Sequence, residues 1–144
     1  MRFVAQISDR LRHWSERRTL TPERALARRG EDLAQRFLQK RGYRVVARNY
    51  RPYEGSGEID LIAWHGEVLV FVEVKTRSGD EAGTPERAVT PEKQRRLIRT
   101  ASAYTRAAKA NPEMIRFDIV AVLDQKRPRV ELFADAFRPA PRLY

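Results

Sequence analysis

Four charged residues lie within two apolar stretches of the chain that would otherwise suit buried strands. Glu58 and Asp60 interrupt the stretch GEIDLIAW, and Glu73 and Lys75 interrupt VLVFVEVKTR. Carboxylates on neighbouring strands can converge on one hard cation, because magnesium takes oxygen ligands at about 2.0–2.1 Å. An adjacent lysine could orient or deprotonate a water, or offset charge in a transition state. Asp60, Glu73 and Lys75 are therefore candidates for metal-assisted phosphodiester hydrolysis.

This convergence depends on how the two strands pair. A hairpin turn within Trp64–Glu67, formed by the two central residues or by all four, places Glu58 opposite Glu73 and Asp60 opposite Phe71. Asp60 and Glu73 are then diagonal neighbours on one face. A slip of one residue would move Asp60 to the other face. The alternative is that these charges form salt bridges on a solvated face of the sheet, and spacing alone leaves both interpretations open.

The composition indicates one globular domain with a polyanionic partner. The chain has 144 residues and a formal net charge of +10, which favours nucleic acid first and an anionic membrane surface second. A basic protein without such a partner is the remaining alternative. Cysteine is absent, so disulfides and thiolate metal sites are excluded. We expect no membrane span and a cytoplasmic location, because no apolar run approaches about 20 residues and the start does not resemble a signal peptide.

The local patterns predict the order α-β-β-β-α-β-β. Thr21-Pro22 and Thr90-Pro91 are helix starts, each with a hydroxyl cap and a proline in the first turn. The first helix should end at about Arg41, before a left-handed Gly42. The predicted remaining elements are strands at 43–51, 58–64, 68–76, 115–123 and 129–137, and a second helix that ends near residue 110. The third strand, the second helix and the fourth strand form a crossover unit, so the expected fold is α/β with a mixed sheet flanked by helices.

The domain boundaries follow from the same patterns. Residues 21–138 form the expected domain, and residues 139–144 form a proline-rich tail. Residues 1–20 have helical apolar spacing with several arginines on the other face, which predicts a basic amphipathic extension. That extension could contact a membrane, nucleic acid or another protein, or pack loosely against the domain.

The stretches GEIDLI and FVEVKTR resemble the YraN-like uncharacterised proteins. These look like members of the PD-(D/E)-x-K nuclease superfamily, akin to archaeal Holliday-junction resolvases. The resemblance covers roughly residues 28–137, through ordered blocks that include GEDLAQRFLQKRGYRVVARNYR and AVTPEKQRRLIRTASAY. It implies a restriction endonuclease-like αβββαβ core, in agreement with the order above. The motif's proline before the aspartate is replaced here by Ile59.

The resemblance also implies roles for particular residues. Asp60, Glu73 and Lys75 correspond to the motif, with magnesium or manganese as the implied cofactor. Glu31 corresponds to an additional acid of resolvase-like members and would join the two carboxylates at the metal. Glu31 lies at the edge of its helix's apolar stripe, from which it could reach the sheet, or it stabilises only its own helix.

Three further residues are candidate nucleic-acid contacts. Lys93 and Gln94 resemble positions that point toward the site or the DNA in such nucleases, although a solvated first helical turn is an equal alternative. Arg77 follows the motif lysine at the end of its strand. Junction resolvases need two active sites, so by analogy a homodimer is implied.

The sequence therefore leads to hypotheses from different classes. The first is a magnesium-dependent endonuclease that hydrolyses DNA phosphodiesters, at branched or damaged DNA. The second is a nucleic-acid-binding module on a nuclease fold that does not turn over, which would bind DNA in a salt-sensitive manner without cleaving it. A third is a protein-interaction role for residues 1–20.

Overall fold

The computed structural model describes residues 20–78 and 89–139. Almost all of the predicted N-terminal extension and of the tail therefore lies outside the described residues. The elements are α1 (Pro22–Lys40), β1 (Arg44–Tyr50), β2 (Ile59–His65), β3 (Val68–Ser78), α2 (Pro91–Ala107), β4 (Ile115–Asp124) and β5 (Arg129–Phe137).

The strands form one mixed sheet in the order β1-β2-β3-β4-β5. All neighbouring pairs are antiparallel except β3 and β4, which are parallel and are connected through α2. Parallel neighbours require such a crossover, whereas the short β2–β3 connection requires an antiparallel pair. The predicted mixed α/β fold is confirmed, and it is consistent with an αβββαβ core.

Alternating side chains divide the core into two layers. On the α1 side, Ala34 and Leu38 of the helix pack with the even-numbered Val70, Val72 and Val74 of β3. On the α2 side, the sheet contributes residues that include Leu69, Phe71 and Phe117, which pack against Leu97 and Ala101 of α2. Glu73, Lys75 and Arg77 continue the odd-numbered series of β3 and therefore share the α2 side.

The helix caps follow the predicted chemistry. The hydroxyl of Thr21 accepts a hydrogen bond from the backbone N–H of Arg24 at 3.2 Å, and that of Thr90 accepts one from Lys93 at 3.2 Å. Gly42 takes a left-handed φ of 88° after α1, as predicted. α2 ends at Ala107, a turn earlier than predicted, because Lys109 adopts a left-handed φ of 53° that stops the helix.

The predicted register of the β2–β3 hairpin is wrong. His65 pairs with Val68, so the turn consists of Gly66 and Glu67, and Phe71 lies opposite Ile62 instead of Asp60. Gly66 takes the positive φ, 61°, that a two-residue hairpin turn requires, which selects this loop over one centred a residue earlier. The pairing differs from the prediction by two residues, which preserves the face of each side chain.

Candidate metal and phosphodiester site

Asp60 lies just beyond the end of the regular β2–β3 pairing. The pairing ends at Leu61 and Val72, and the same register continued by one residue would set Asp60 directly opposite Glu73. Instead of a backbone carbonyl, the carboxylate Oδ2 of Asp60 accepts the Val74 N–H at 2.8 Å. This bond fixes the orientation of the carboxylate beside β3.

Alternation also breaks in β2 at Asp60. The neighbours Ile59 and Leu61 pack into opposite core layers, although residues two apart in a regular strand share a face. The irregularity therefore lies on the Ile59 side of Asp60, because Leu61, Ile62 and Ala63 alternate regularly between the two layers.

The environment of Asp60 disfavours its ionised form. Burial, followed by the charge of Glu73, raises the pKa of the Asp60 carboxyl well above its ordinary range, and Glu31 and Glu58 act in the same direction. The hydrogen bond from Val74 opposes this shift. Asp60 therefore senses the charges of three other carboxylates, which a cation next to it would offset.

Glu73 lies between two lysines. Its side chain is only 6% exposed, and its Oε1 lies 2.6 Å from the Lys93 Nζ and 3.7 Å from the Lys75 Nζ. Lys75 is on the same strand face as Glu73, whereas Lys93 reaches the site from the first turn of α2. Glu73, the two lysines and Asp60 therefore come together from three elements, β2, β3 and α2.

The pKa values of the two lysines are shifted in opposite directions. Burial, together with the neighbouring Lys93, lowers the pKa of the Lys75 amine. Burial would also lower the pKa of Lys93, but its hydrogen bond to Glu73 and the charge of that acid raise it above its ordinary value. Lys75 is thus the amine that more readily becomes neutral and can accept a proton.

Glu31 is held beside the site by polar groups of β1. The Arg48 guanidinium lies 3.2 Å from Glu31 Oε2 and 2.6 Å from Asp32 Oδ1. With its amide nitrogen facing the carboxylates, Asn49 donates to both Glu31 oxygens at 3.1 and 3.2 Å and to Glu58 Oε1 at 3.1 Å. Burial raises the pKa of Glu31, and Arg48 opposes that shift.

Asn49 and Arg48 are contacts that sequence reasoning missed. Asn49 adopts a left-handed φ of 51° within β1, a conformation for which asparagine is enriched among non-glycine residues. An asparagine near the end of a strand was the available signal, but nothing in the pattern pointed it at Glu31. Glu58, which pairs with Arg51 at 3.0 Å, lies on the flank of this acidic group.

The candidate nucleic-acid contacts fall in different places. Lys93 is part of the site, as described above. The Gln94 amide instead donates to the carbonyl of Val89 at 3.1 Å, which closes the start of α2 and directs the side chain to the backbone. Arg77 is half-buried at the end of β3, on the same face as Lys75.

Asp60 and Glu73 are the residues that could hold a hard divalent cation, because such ions prefer carboxylate oxygens, and Glu31 lies near Asp60. Across residues 20–78 and 89–139, no three or more His, Cys, Asp or Glu side chains form a group that could by itself hold a metal ion. Magnesium is usually held by one or two carboxylates, with waters and substrate phosphates completing its shell, so two acids satisfy its usual protein contribution.

The comparisons with known proteins identify the family. The family model described as "Uncharacterised protein family UPF0102" matches residues 30–122. The chain belongs to the UPF0102 family. This confirms the YraN-like assignment made from the motifs.

Relatives of this UPF0102 protein match most of their own length. A UPF0102 protein of Solibacter usitatus is 49% identical over 135 residues, which cover 94% of this chain and 98% of the relative. A UPF0102 protein of Symbiobacterium thermophilum is 51% identical over 116 residues, covering 79% of this chain and 97% of that protein. One from Chlorobium limicola is 42% identical over 120 residues, covering 78% and 92%.

None of the helices in the described part of the chain is long and apolar enough to cross a membrane.

Proposed function

We propose that this UPF0102 protein is a metal-dependent endonuclease that hydrolyses DNA phosphodiesters, with branched or damaged DNA as the implied substrate. The observation that supports this proposal most strongly is the meeting of Asp60, Glu73 and Lys75 on β2 and β3. Asp60 senses the Glu73 charge, and Lys75 lies 3.7 Å from the same acid. The superfamily resemblance of the same three residues points to the same chemistry.

The residues divide the work by their chemistry. Asp60 and Glu73 would hold Mg²⁺ or Mn²⁺, and Glu31 would assist at its edge. A bound Mg²⁺ would polarise a phosphoryl oxygen and lower the pKa of a coordinated water. Lys75, whose Nζ lies 3.7 Å from Glu73, would accept the proton of the attacking water, and its lowered pKa favours the neutral amine that this role requires. Lys93 orients Glu73 through their 2.6 Å contact.

The charge of the whole chain supports a polyanionic substrate. A carboxylate-lined site alone would repel phosphates, whereas a net charge of +10 attracts them from a distance. By analogy with junction resolvases, a homodimer would present two sites to the two strands of a branched substrate. The same proposal places the protein in the cytoplasm, where its DNA substrate lies.

The test is cleavage of linear and branched DNA in the presence of magnesium or manganese. We expect the wild-type protein to cleave, and we expect Asp60→Ala and Glu73→Ala each to lower the rate by roughly 10²–10³-fold, because each removes an electrostatic anchor of the transition state. Glu113→Ala is the matched control, since Glu113 is an exposed acid in the turn before β4. Cleavage that persists unchanged in both site variants would refute the proposed centre.

One observation favours a second candidate, a nucleic-acid-binding module without turnover. The Lys93 ammonium already lies against Glu73, where it neutralises the acid in the absence of a metal. If this internal ion pair is permanent, the protein would bind DNA with or without magnesium and would not cleave any substrate. Calorimetric titration with magnesium separates the candidates, because a true site binds the ion and loses it in the Asp60→Ala/Glu73→Ala variant.

A further inference from the structure

The solvent-facing side of α2 carries an unbalanced row of arginines. The helix contains five basic residues and one acid, Glu92. Arg95, Arg96, Arg99 and Arg106 are exposed, and within the described part of the chain none of these four has a hydrogen-bonded or ionic side-chain partner. On a helical projection, Arg95, Arg99 and Arg106 fall on one stripe, with Arg96 between that stripe and Lys93.

This arrangement opposes the stability of the isolated helix. Arg95 and Arg99 are four residues apart, and like charges at that spacing repel each other. By contrast, α1 interleaves acids with its basic residues, and its Arg29 pairs with Asp124 at 3.1 Å. A bound polyanion would convert the repulsion on α2 into attraction.

The dimensions of the stripe suit a nucleic-acid strand. Arg95 and Arg106 are 11 positions apart, which corresponds to about 16 Å along a helix axis. That length matches about five phosphates of one DNA strand at about 3.4 Å of axial rise each. The stripe begins two residues after Lys93, which contacts Glu73, and Arg96 lies between the stripe and Lys93 around the helix. A strand bound along α2 could therefore reach the candidate site through Arg96.

A loop next to the same helix presents an exposed aromatic ring. Tyr53 is 61% exposed, and its carbonyl accepts the Ser56 N–H at 3.1 Å to close the turn. Gly57 holds this loop against α2, since a Cβ at that position would lie 2.9 Å from the Thr100 hydroxyl and 3.4 Å from the Arg96 carbonyl. Tyr53 lies four residues before this contact, on the loop that adjoins α2. An exposed tyrosine is suited to stack on a base, and only an unpaired base offers its ring face.

We infer that the outer face of α2 (Arg95, Arg96, Arg99 and Arg106), together with Tyr53, is a docking surface for DNA that carries unpaired nucleotides next to a duplex. This inference rests on the proposed nuclease function and names its substrate class. The arginines bind the phosphate backbone independently of sequence, and Tyr53 supplies the preference for an unpaired base.

The experiment measures binding in EDTA, which prevents turnover. The probes are a fluorescein-labelled duplex with a single-stranded arm and a fully paired duplex of equal length, followed by fluorescence anisotropy over a salt series. The variant Arg95→Gln/Arg99→Gln/Arg106→Gln is compared with Arg24→Gln/Arg36→Gln/Lys40→Gln, which removes the same charge from exposed positions of α1 across the sheet.

The arginine contribution appears in both affinity and salt dependence. We expect the α2 variant to bind at least about tenfold more weakly, with a salt slope smaller in magnitude by about 2–3, because three phosphate contacts are lost. The α1 variant should retain most of the affinity and the wild-type slope. Equal losses of DNA affinity in the two variants would refute the docking surface on α2.

The stacking contribution is tested by Tyr53→Ala and Tyr53→Phe. Tyr53→Ala should weaken binding to the armed duplex by about tenfold and leave the paired duplex unchanged, and Tyr53→Phe should retain wild-type binding because it keeps the ring. A Tyr53→Ala variant that binds both probes like the wild type would remove the preference for unpaired bases.

The two proposals fail in different ways. If the wild-type protein cleaves DNA but the two triple variants bind alike, the surface is wrong and the nuclease stands. If the wild-type protein binds through α2 but cleaves no substrate with magnesium or manganese, the surface stands and the catalytic proposal is wrong. A wild-type protein that binds neither probe overturns the surface.

Discussion

At the residue scale, the charge state of Asp60 links stability to pH. Burial and the Glu73 charge raise its pKa above the ordinary 3.8, so the folded protein holds this proton over a window in which the unfolded chain has released it. Stability therefore falls as the pH rises through that window, and the loss remains at neutral pH. A bound divalent cation would reverse this loss, because it favours the ionised form.

The first prediction follows for Asp60→Asn. Without metal at neutral pH, we expect the variant to be more stable than the wild type, since the amide can still accept the Val74 N–H but carries no charge. The gain should disappear below about pH 3.8, where the wild-type carboxyl is protonated in both states. Urea unfolding at a series of pH values measures the difference in stability between the variant and the wild type. Glu67→Gln, which replaces an exposed acid of the β2–β3 turn, is the control. A gain that is independent of pH would contradict the electrostatic cause.

The second prediction concerns the role of Lys75. Because its pKa is lowered, we expect its neutral amine to accept the proton of the attacking water, so Lys75→Arg should lose as much cleavage activity as Lys75→Met, on the order of 10²-fold or more. Lys93→Met removes the nearby positive charge, raises the pKa of Lys75 and should shift the rise of activity to higher pH. If Lys75→Arg keeps most of the activity, Lys75 acts only as a positive charge.

At the scale of elements, Gly30 sets the distance between α1 and the sheet. A Cβ at Gly30 would lie 1.7 Å from the hydroxyl oxygen and 2.8 Å from the Cβ of Thr76. The helix backbone therefore lies directly on β3, one residue before Glu31. This close approach brings Glu31 to the acidic group from a different element.

Gly30→Ala tests this packing through the sign of its effect. In an open helix position, alanine would stabilise the protein by up to about 1 kcal/mol. Here we expect a loss of about 1–3 kcal/mol, because the methyl group forces α1 away from Thr76. Adding Thr76→Ala removes the nearest atoms and should recover part of the loss. Thermal or urea unfolding of the single and double variants decides the sign.

The elements themselves were predictable from local chemistry, whereas their exact register was not. Thr21, Thr90 and Gly42 predict the helix ends because caps depend on one or two residues. The β2–β3 register depended on which residue of the turn takes a positive φ, and Gly66 decided it. The break of alternation between Ile59 and Leu61 was not visible in the strand pattern, because both residues are apolar and suit either core layer.

At the scale of the whole molecule, the site combines distant parts of the chain. The motif residues of β2 and β3 were predictable from their spacing, because the hairpin joins them locally. The contact of Lys93 with Glu73 could not be predicted from the strands alone, because Lys93 lies on the crossover helix α2. The contact of Asn49 with Glu31 depends on the left-handed φ of Asn49 in β1. The net charge of the chain predicts a polyanionic partner, but it does not predict which face of the molecule binds that partner.

A second buried polar cluster ties the far part of the sheet together. Asp118 is fully buried. Its carboxylate accepts hydrogen bonds from Arg116 Nε at 2.8 Å, from Arg116 Nη2 at 2.9 Å and from the Asp135 N–H at 2.9 Å. Arg116 also donates to the Tyr43 hydroxyl at 2.7 Å. One carboxylate thus links β4, β5 and the segment after α1, and its oxygens are engaged by these donors. This contact set assigns Asp118 to the architecture of the domain.

Asp118→Ala should therefore destabilise the whole molecule without changing the chemistry. Removing one partner of a buried pair leaves Arg116 uncompensated, and we expect a loss of about 3–5 kcal/mol in the free energy of unfolding. At a temperature where the variant remains folded, its cleavage rate per folded molecule should equal that of the wild type. Asp135→Asn removes the charge of an exposed acid at the same corner, keeps its backbone N–H and suits the left-handed φ of 53° there, so it should change stability little. A folded Asp118→Ala protein that cannot cleave DNA would instead place Asp118 among the residues on which the hydrolytic site depends.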